Sequence, residues 1–248
     1  MAFSLPIETS ERKFVELHIA RFIFDQPITQ QEIPYFRSAV SKTAGSQFDK
    51  FHNHNLSEEG GKYIYRYPLI QYKRIKGKAS IVCIGDGTKD IGHFFQHNRH
   101  NLSIGNRKAE FRTESIRADK FRLQIWEKYF PLNIINWLAL NQKNYTLYRE
   151  MTDESEKIFF LEKILTGNIL SFCKGVGLFV QRDVKVQIDE VWASGVTQFK
   201  EQTLMWFNVQ FRTNICIPYY LGLGKGAGFG FGTILPPAQK NEKAERVP

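Results

Sequence analysis

Glycine takes every second position from Gly222 to Gly232, as Gly222, Gly224, Gly226, Gly228, Gly230 and Gly232, with Leu223, Lys225, Ala227, Phe229 and Phe231 between them. Such a run is a loop whose backbone can enter positive φ and lie bare against whatever packs on it. Successive N–H groups turned inward make a nest for an anion, and Lys225 adds positive charge. Two nucleotide-binding motifs fail to match. The phosphate-binding loop of nucleotide hydrolases needs Ser or Thr after its lysine, and Lys225 is followed by Gly226. The dinucleotide fingerprint needs a strand before it, a helix after it and an acid about 20 residues on; here Pro218 precedes and the chain nearly ends. An anion cradle and a tight packing loop both fit the segment.

The 248 residues allow one large domain or two small ones. With 42% hydrophobic and 24% charged residues the chain can bury a sizeable core, which excludes wholesale disorder. Lys and Arg number 34 against 25 Asp and Glu, a formal charge of +9, so the expected partner is a polyanion. The apolar stretches break well short of the ~20 residues a bilayer crossing needs. Residues 1–13 lack the basic start and long apolar centre of a signal peptide. A cytoplasmic protein with no membrane partner is expected. Cys83, Cys173 and Cys216 are far apart in apolar stretches, which reads as reduced, buried thiols rather than a zinc ribbon, a redox pair or a disulfide scaffold.

Along the chain, residues 14–24 read as a first strand. Thr29 and Glu32 resemble a capping box, but Pro34 is comfortable only in a first turn, so the helix is expected from about Ile33 to Gly45. A polar loop over 46–61 holds His52 and His54. Residues 62–73 read as a strand with Tyr63, Tyr65, Tyr67 and Leu69 at alternate positions, Gly77 as a turn, 79–84 as a buried strand and 90–97 as a short helix. The order β-α-β-β-α begins a ferredoxin-like unit. Basic residues 99–122 are read as a junction, followed by a strand around Phe121, Leu123 and Ile125. A helical region is expected over 133–173, its later helix capped by Asp153, and alternating strands around 184–188 and 207–211. The expected units are 1–107 and 108–235, with a disordered tail over 236–248.

Gly222-Leu223-Gly224, a five-residue spacer and Gly230-Phe231-Gly232 near the end of a basic chain resemble the loop of the RAMP superfamily of CRISPR-associated proteins. Size and the β-α-β-β start are similar to its sixth Cas family, endoribonucleases that cut CRISPR repeat RNA. The resemblance covers residues 14 to about 235. It implies an α+β fold of two ferredoxin-like (RRM-like) units in tandem, with antiparallel sheets, packed helices and a C-terminal glycine-rich loop. It also implies repeat RNA as partner, other Cas effector subunits as further partners, no cofactor, and metal-independent attack of the ribose 2′-OH on the adjacent phosphate. A non-catalytic RAMP subunit that binds guide RNA would share fold and loop.

That chemistry needs a base, an acid and a cation at the phosphorane. The resemblance places a histidine soon after the first helix, with a tyrosine and a lysine. His52 or His54, with Lys50 and Tyr63, fill those roles here. His93 and His97 stand i, i+4 but lack an acid to complete a metal site, so no metal is expected. His18 lies in the first strand and reads as structural. Basic residues expected on RNA are Lys73 and Arg74 at a hairpin turn and Arg112 and Arg117 at the junction, with the glycine loop and Lys225.

Overall fold

The computed structural model describes residues 14–45, 49–52, 67–96, 101–180 and 183–237. It opens on β1 (Phe14–Pro27) and α1 (Ile33–Ala44). Thr29 and Glu32 form a reciprocal cap: the Glu32 N–H donates to Thr29 Oγ1 at 3.3 Å, and the Thr29 N–H donates to the Glu32 carboxylate at 2.8 Å. Helical hydrogen bonding begins at Ile33, which leaves Pro34 in the first turn where its missing donor costs nothing. Ile33, Phe36, Val40 and Ala44 bury one face, and Gly45, at φ 103°, ends the helix. Next come α2 (Asp49–His52), β2 (Ile70–Ile75), β3 (Lys78–Ile84) and α3 (Gly87–Gln96). A small hairpin, β4 (Asn101–Ile104) and β5 (Arg107–Glu110), leads to β6 (Thr113–Trp137), the longest strand. The rest is α4 (Gln142–Glu150), α5 (Glu154–Gly175), β7 (Val186–Phe199), β8 (Gln202–Ile215) and β9 (Thr233–Leu235).

The spatial order β2-β3-β1-β6, all antiparallel, is that of a ferredoxin-like sheet. The second half of β6 starts the pattern again. There the order is β7-β8-β6-β9, with α4 and α5 in the first crossover. The glycine segment takes the place of the last helix. The fold is therefore α+β with two ferredoxin-like units joined through one strand. A register shift between Ile125 and Phe130 separates the two pairing regions of β6.

One apolar cluster packs α1 and α3 on the first sheet, through Phe22, Phe24, Ile81 and Cys83 against Phe36 and Phe94. The opposite face, with Leu17, Ile19, Val82 and Ile84, shares a core with Phe172 of α5, Phe207 of β8, and Ile217 and Leu221 of the glycine segment's approach. Cys83 and Cys173 are buried as expected, and Cys216 is half-buried. No helix among the described residues is long and apolar enough to cross a membrane.

Two expectations are corrected. Residues 133–137 do not open the helical region; Asn133, Ile134 and Trp137 pair with β8, and Asn133 to Ile135 pair with β9. Two strand partners and consecutive isoleucines outweigh any helical reading, and the first helix after them starts at Gln142, capped by Asn141. Within the strand expected over 62–73, the described residues 67–69 are not strand and pairing begins at Ile70, because Pro68 cannot donate to a ladder. Residues 62–66 and 238–248 lie outside the described residues.

Candidate nucleic-acid interface

Gly224, Gly226, Gly230 and Gly232 adopt φ between 59° and 83°, the left-handed region. Close packing adds a second demand. A Cβ on Gly232 would overlap the Leu223 carbonyl, and one on Gly224 would overlap the Asn168 side chain of α5. Gly228 is different: its φ is not in that region, and a Cβ there would meet only Pro68, at 3.5 Å. The alternation thus serves packing along most of the segment.

The first unit holds this loop with buried polar side chains. Tyr67 Oη donates to the Gly222 carbonyl at 2.8 Å, while Gln71 donates to Tyr67 and accepts from the Gly222 N–H. Burial pushes the Tyr67 hydroxyl pKa up, so it stays a donor. Lys73 Nζ donates to the Ala227 carbonyl at 3.0 Å and to Thr233 Oγ1 at 3.3 Å. Lys73 is 1% exposed, and burial pushes its pKa down to about 7. This corrects its reading as a surface cation of the hairpin. The alternation of β2 turns Lys73 inward onto the loop, and Arg74 outward, where its Nε donates to the Ile28 carbonyl.

The loop's outer side lines a cleft of about 520 Å³ between the units. Arg37 of α1, Lys50 of α2, Lys200 at the tip of the β7–β8 hairpin, and Lys225 line it, together with Phe229. Among the described residues no acidic side chain does. Arg37 lies 4.2 Å and Lys200 5.7 Å from the Phe229 ring centre. Lys225 donates to Gln202 at 3.0 Å, and burial, then the charge of Lys200, lower its pKa. Such a cleft suits a polyanion with a stackable base.

The structure brings Lys50 to this cleft. Phe51, buried beside it, anchors α2, and Ser41 of α1 donates to the Phe51 carbonyl at 3.0 Å. Lys50 is also paired with Asp90 at 3.1 Å. His52 ends α2. The His52 side chain, and His54, Tyr63, His97 and His100, lie outside the described residues. Arg112 and Arg117 are not brought to the cleft. Arg112 pairs with Glu110, and Arg117 stands on β6, at the far side of the sheet from β2. His18 is exposed on β1 opposite Lys120. Among the described residues no three His, Cys, Asp or Glu side chains gather as metal ligands.

Sequence reasoning missed Arg37 and Lys200. Arg37 could have been found on the polar face of α1, beside core residue Phe36. Lys200-Glu201 could have been found as the turn between two alternating strands.

Two ferredoxin-like units sharing a strand, with a glycine loop closing the second, define a protein of the RAMP class. Family models narrow the class. The Cas6b N-terminal domain matches residues 15–122 and the Cas6b C-terminal domain residues 124–236, so the chain belongs to the Cas6b family. It is similar to a crystal structure of Cas6b, with 26% identity and a TM-score of 0.81 over 90% of this chain and 100% of that one. It is also similar to a CRISPR RNA processing endoribonuclease Cas6b, with 25% identity and a TM-score of 0.66 over 89% and 99%. The uncharacterized protein MJ0978 of Methanocaldococcus jannaschii is 40% identical over 99 residues, 40% of this chain. That match spans 66% of the relative's length.

Proposed function

We propose that this chain binds CRISPR repeat RNA in the cleft and cuts it without a metal, by internal attack. One observation carries the reading: Lys50, next in sequence to the histidine-bearing loop, lines the same cleft as Lys225 and the glycine loop. A phosphate drawn in by Arg37, Lys200 and Lys225 would lie in the cleft that Lys50 lines. His52 or His54 takes the proton of the ribose 2′-OH as its oxygen attacks phosphorus. The bond from phosphorus to the 5′-oxygen breaks, and that oxygen accepts a proton, leaving a 2′,3′-cyclic phosphate and a 5′-OH. Lys50 stabilises the pentavalent phosphorane, with Tyr63 as a further proton carrier. Family membership and the likeness to a CRISPR RNA processing endoribonuclease support the substrate class.

The test is cleavage of repeat RNA in EDTA, beside a substrate carrying deoxyribose just upstream of the scissile phosphate. The ribose substrate should be cut once and the deoxyribose substrate not at all. His52→Ala or His54→Ala should slow cleavage by roughly 10²–10⁴, with RNA affinity retained. Cutting of the deoxyribose substrate would exclude internal attack. RNA binding with no cutting by the wild type would make the chain a binding subunit instead.

A further inference from the structure

Asn168 stands in the middle of α5, after Thr166 and Gly167, three weak helix formers in a row. Its neighbours Leu165, Ile169 and Phe172 go to the core. Asn168 instead lines the cleft, with Ser171 one turn on. The indole N–H of buried Trp137 donates to Asn168 Oδ1 at 2.8 Å. An indole nitrogen can only donate, so this bond fixes which way the amide is turned. The glycine loop closes on the same oxygen, where a Cβ on Gly224 would overlap it. The amide nitrogen is left without a partner. Among the described residues, the one buried side-chain nitrogen or oxygen that lacks a partner is Thr213 Oγ1. Asn168 Nδ2 is therefore reached by solvent, from the cleft that the residue lines.

The cations of the cleft come from other elements: Arg37 from α1, Lys50 from α2, Lys200 from the hairpin and Lys225 from the loop. The α5 wall, Asn168 and Ser171, is uncharged. A nucleotide in the cleft has its phosphate held by the cations and a base edge left for the amide. An amide with both edges free suits adenine, donating to N7 and accepting from N6. Asn168 has only its donor edge to give. That edge matches guanine O6 or uracil O4 and opposes the amino groups of adenine N6 and cytosine N4.

We infer that Asn168 reads one base of the bound RNA and selects guanine or uracil over adenine or cytosine. The inference rests on the proposal that RNA binds in the cleft. It is tested by the binding of repeat RNAs in which each position is varied among the four bases, with deoxyribose just upstream of the scissile phosphate. Wild type and variants are compared on the same RNA, which cancels changes in the RNA's own fold. At one position wild type should prefer guanine or uracil by roughly tenfold. Asn168→Asp keeps an oxygen for Trp137 and puts a second oxygen where the amide nitrogen was. Its preference at that position should reverse to adenine or cytosine, whatever the added negative charge costs in overall affinity. Asn168→Ala should level the four bases there and leave the ranking at every other position as in wild type. Near-ultraviolet circular dichroism, to which Trp137 contributes, checks that both variants are folded. A further comparison needs no Asp variant: 2-aminopurine in place of guanine at that position lacks O6, and should cost wild type the same tenfold and Asn168→Ala nothing. A base ranking unchanged at every position in both variants overturns the inference. So does a uniform loss of affinity, the mark of a packing role alone. A wild type that binds no repeat RNA overturns the reading of the cleft, and this inference with it.

Discussion

Lys73 is the residue where burial, charge and the loop meet. Its amine has two oxygen acceptors and no carboxylate among its described partners, so the folded protein favours the neutral form. The unfolded chain holds a proton there up to the ordinary value of 10.5, whereas the folded chain releases it at about 7. Between these values unfolding takes up a proton, so this site destabilises the fold more as pH falls from 10.5 to about 7 and adds nothing further below that. Wild type should therefore gain melting temperature relative to Lys73→Met as pH is raised from 7 to 10, by roughly 3–5 °C per unit at most. A difference that stays flat over this window would mean Lys73 is protonated in the folded state. The lysine's place was hidden in the sequence. Lys73-Arg74-Ile75-Lys76 reads as a basic turn, and only the register of β2 against β3 shows which cation points inward. The glycines were legible as a loop, but their close neighbours, such as Asn168 and Leu223, come from distant segments that no local pattern brings together.

Elements with one strong local signal matched their reading. Pro34 and Gly45 bracket α1, Asp153 caps α5 by accepting from the Ser155 N–H, and alternation marks β7 and β8. Elements decided by partners did not: Asn133 to Trp137 are strand because β8 and β9 flank them. The β7–β8 hairpin brings a cation to the cleft at a cost to its own stability. Lys200 and Glu201 both have positive φ, 48° and 52°, at a two-residue turn that favours Asn-Gly. Side chains with a Cβ are strained there, and the lysine stands at this strained position, where it lines the cleft. Glu201→Gly should raise stability by about 0.5–1 kcal/mol in thermal unfolding, with RNA affinity unchanged. Lys200→Asn should keep stability but flatten the log–log salt dependence of RNA binding by about 0.7, one phosphate contact on a single strand. An unchanged slope would take Lys200 off the RNA path.

At the scale of the whole molecule, two units that match separate family models share a strand and an apolar core. The models divide between residues 122 and 124, inside β6, which runs unbroken from Thr113 to Trp137. Cutting there would strip the first unit of its fourth strand's continuation and the second of the strand that begins it. The larger apolar cluster also ignores the division: Leu17, Ile19 and Val82 of the first unit bury against Phe172, Ile217 and Leu221 of the second. Removing either unit would expose these side chains, each worth about 1.5–3 kcal/mol when fully buried, and would strand Tyr67, Gln71 and Lys73 without their loop partners. Calorimetry should accordingly show a single unfolding transition whose calorimetric and van't Hoff enthalpies agree, although chains of this length often unfold in steps. Fragments 15–122 and 124–236 should each lack the native near-ultraviolet circular dichroism when alone. The cleft lies between the units, so neither fragment should bind repeat RNA with the affinity of the full chain. Two separate transitions, or a fragment with native spectra, would show that the shared strand joins the units without coupling them.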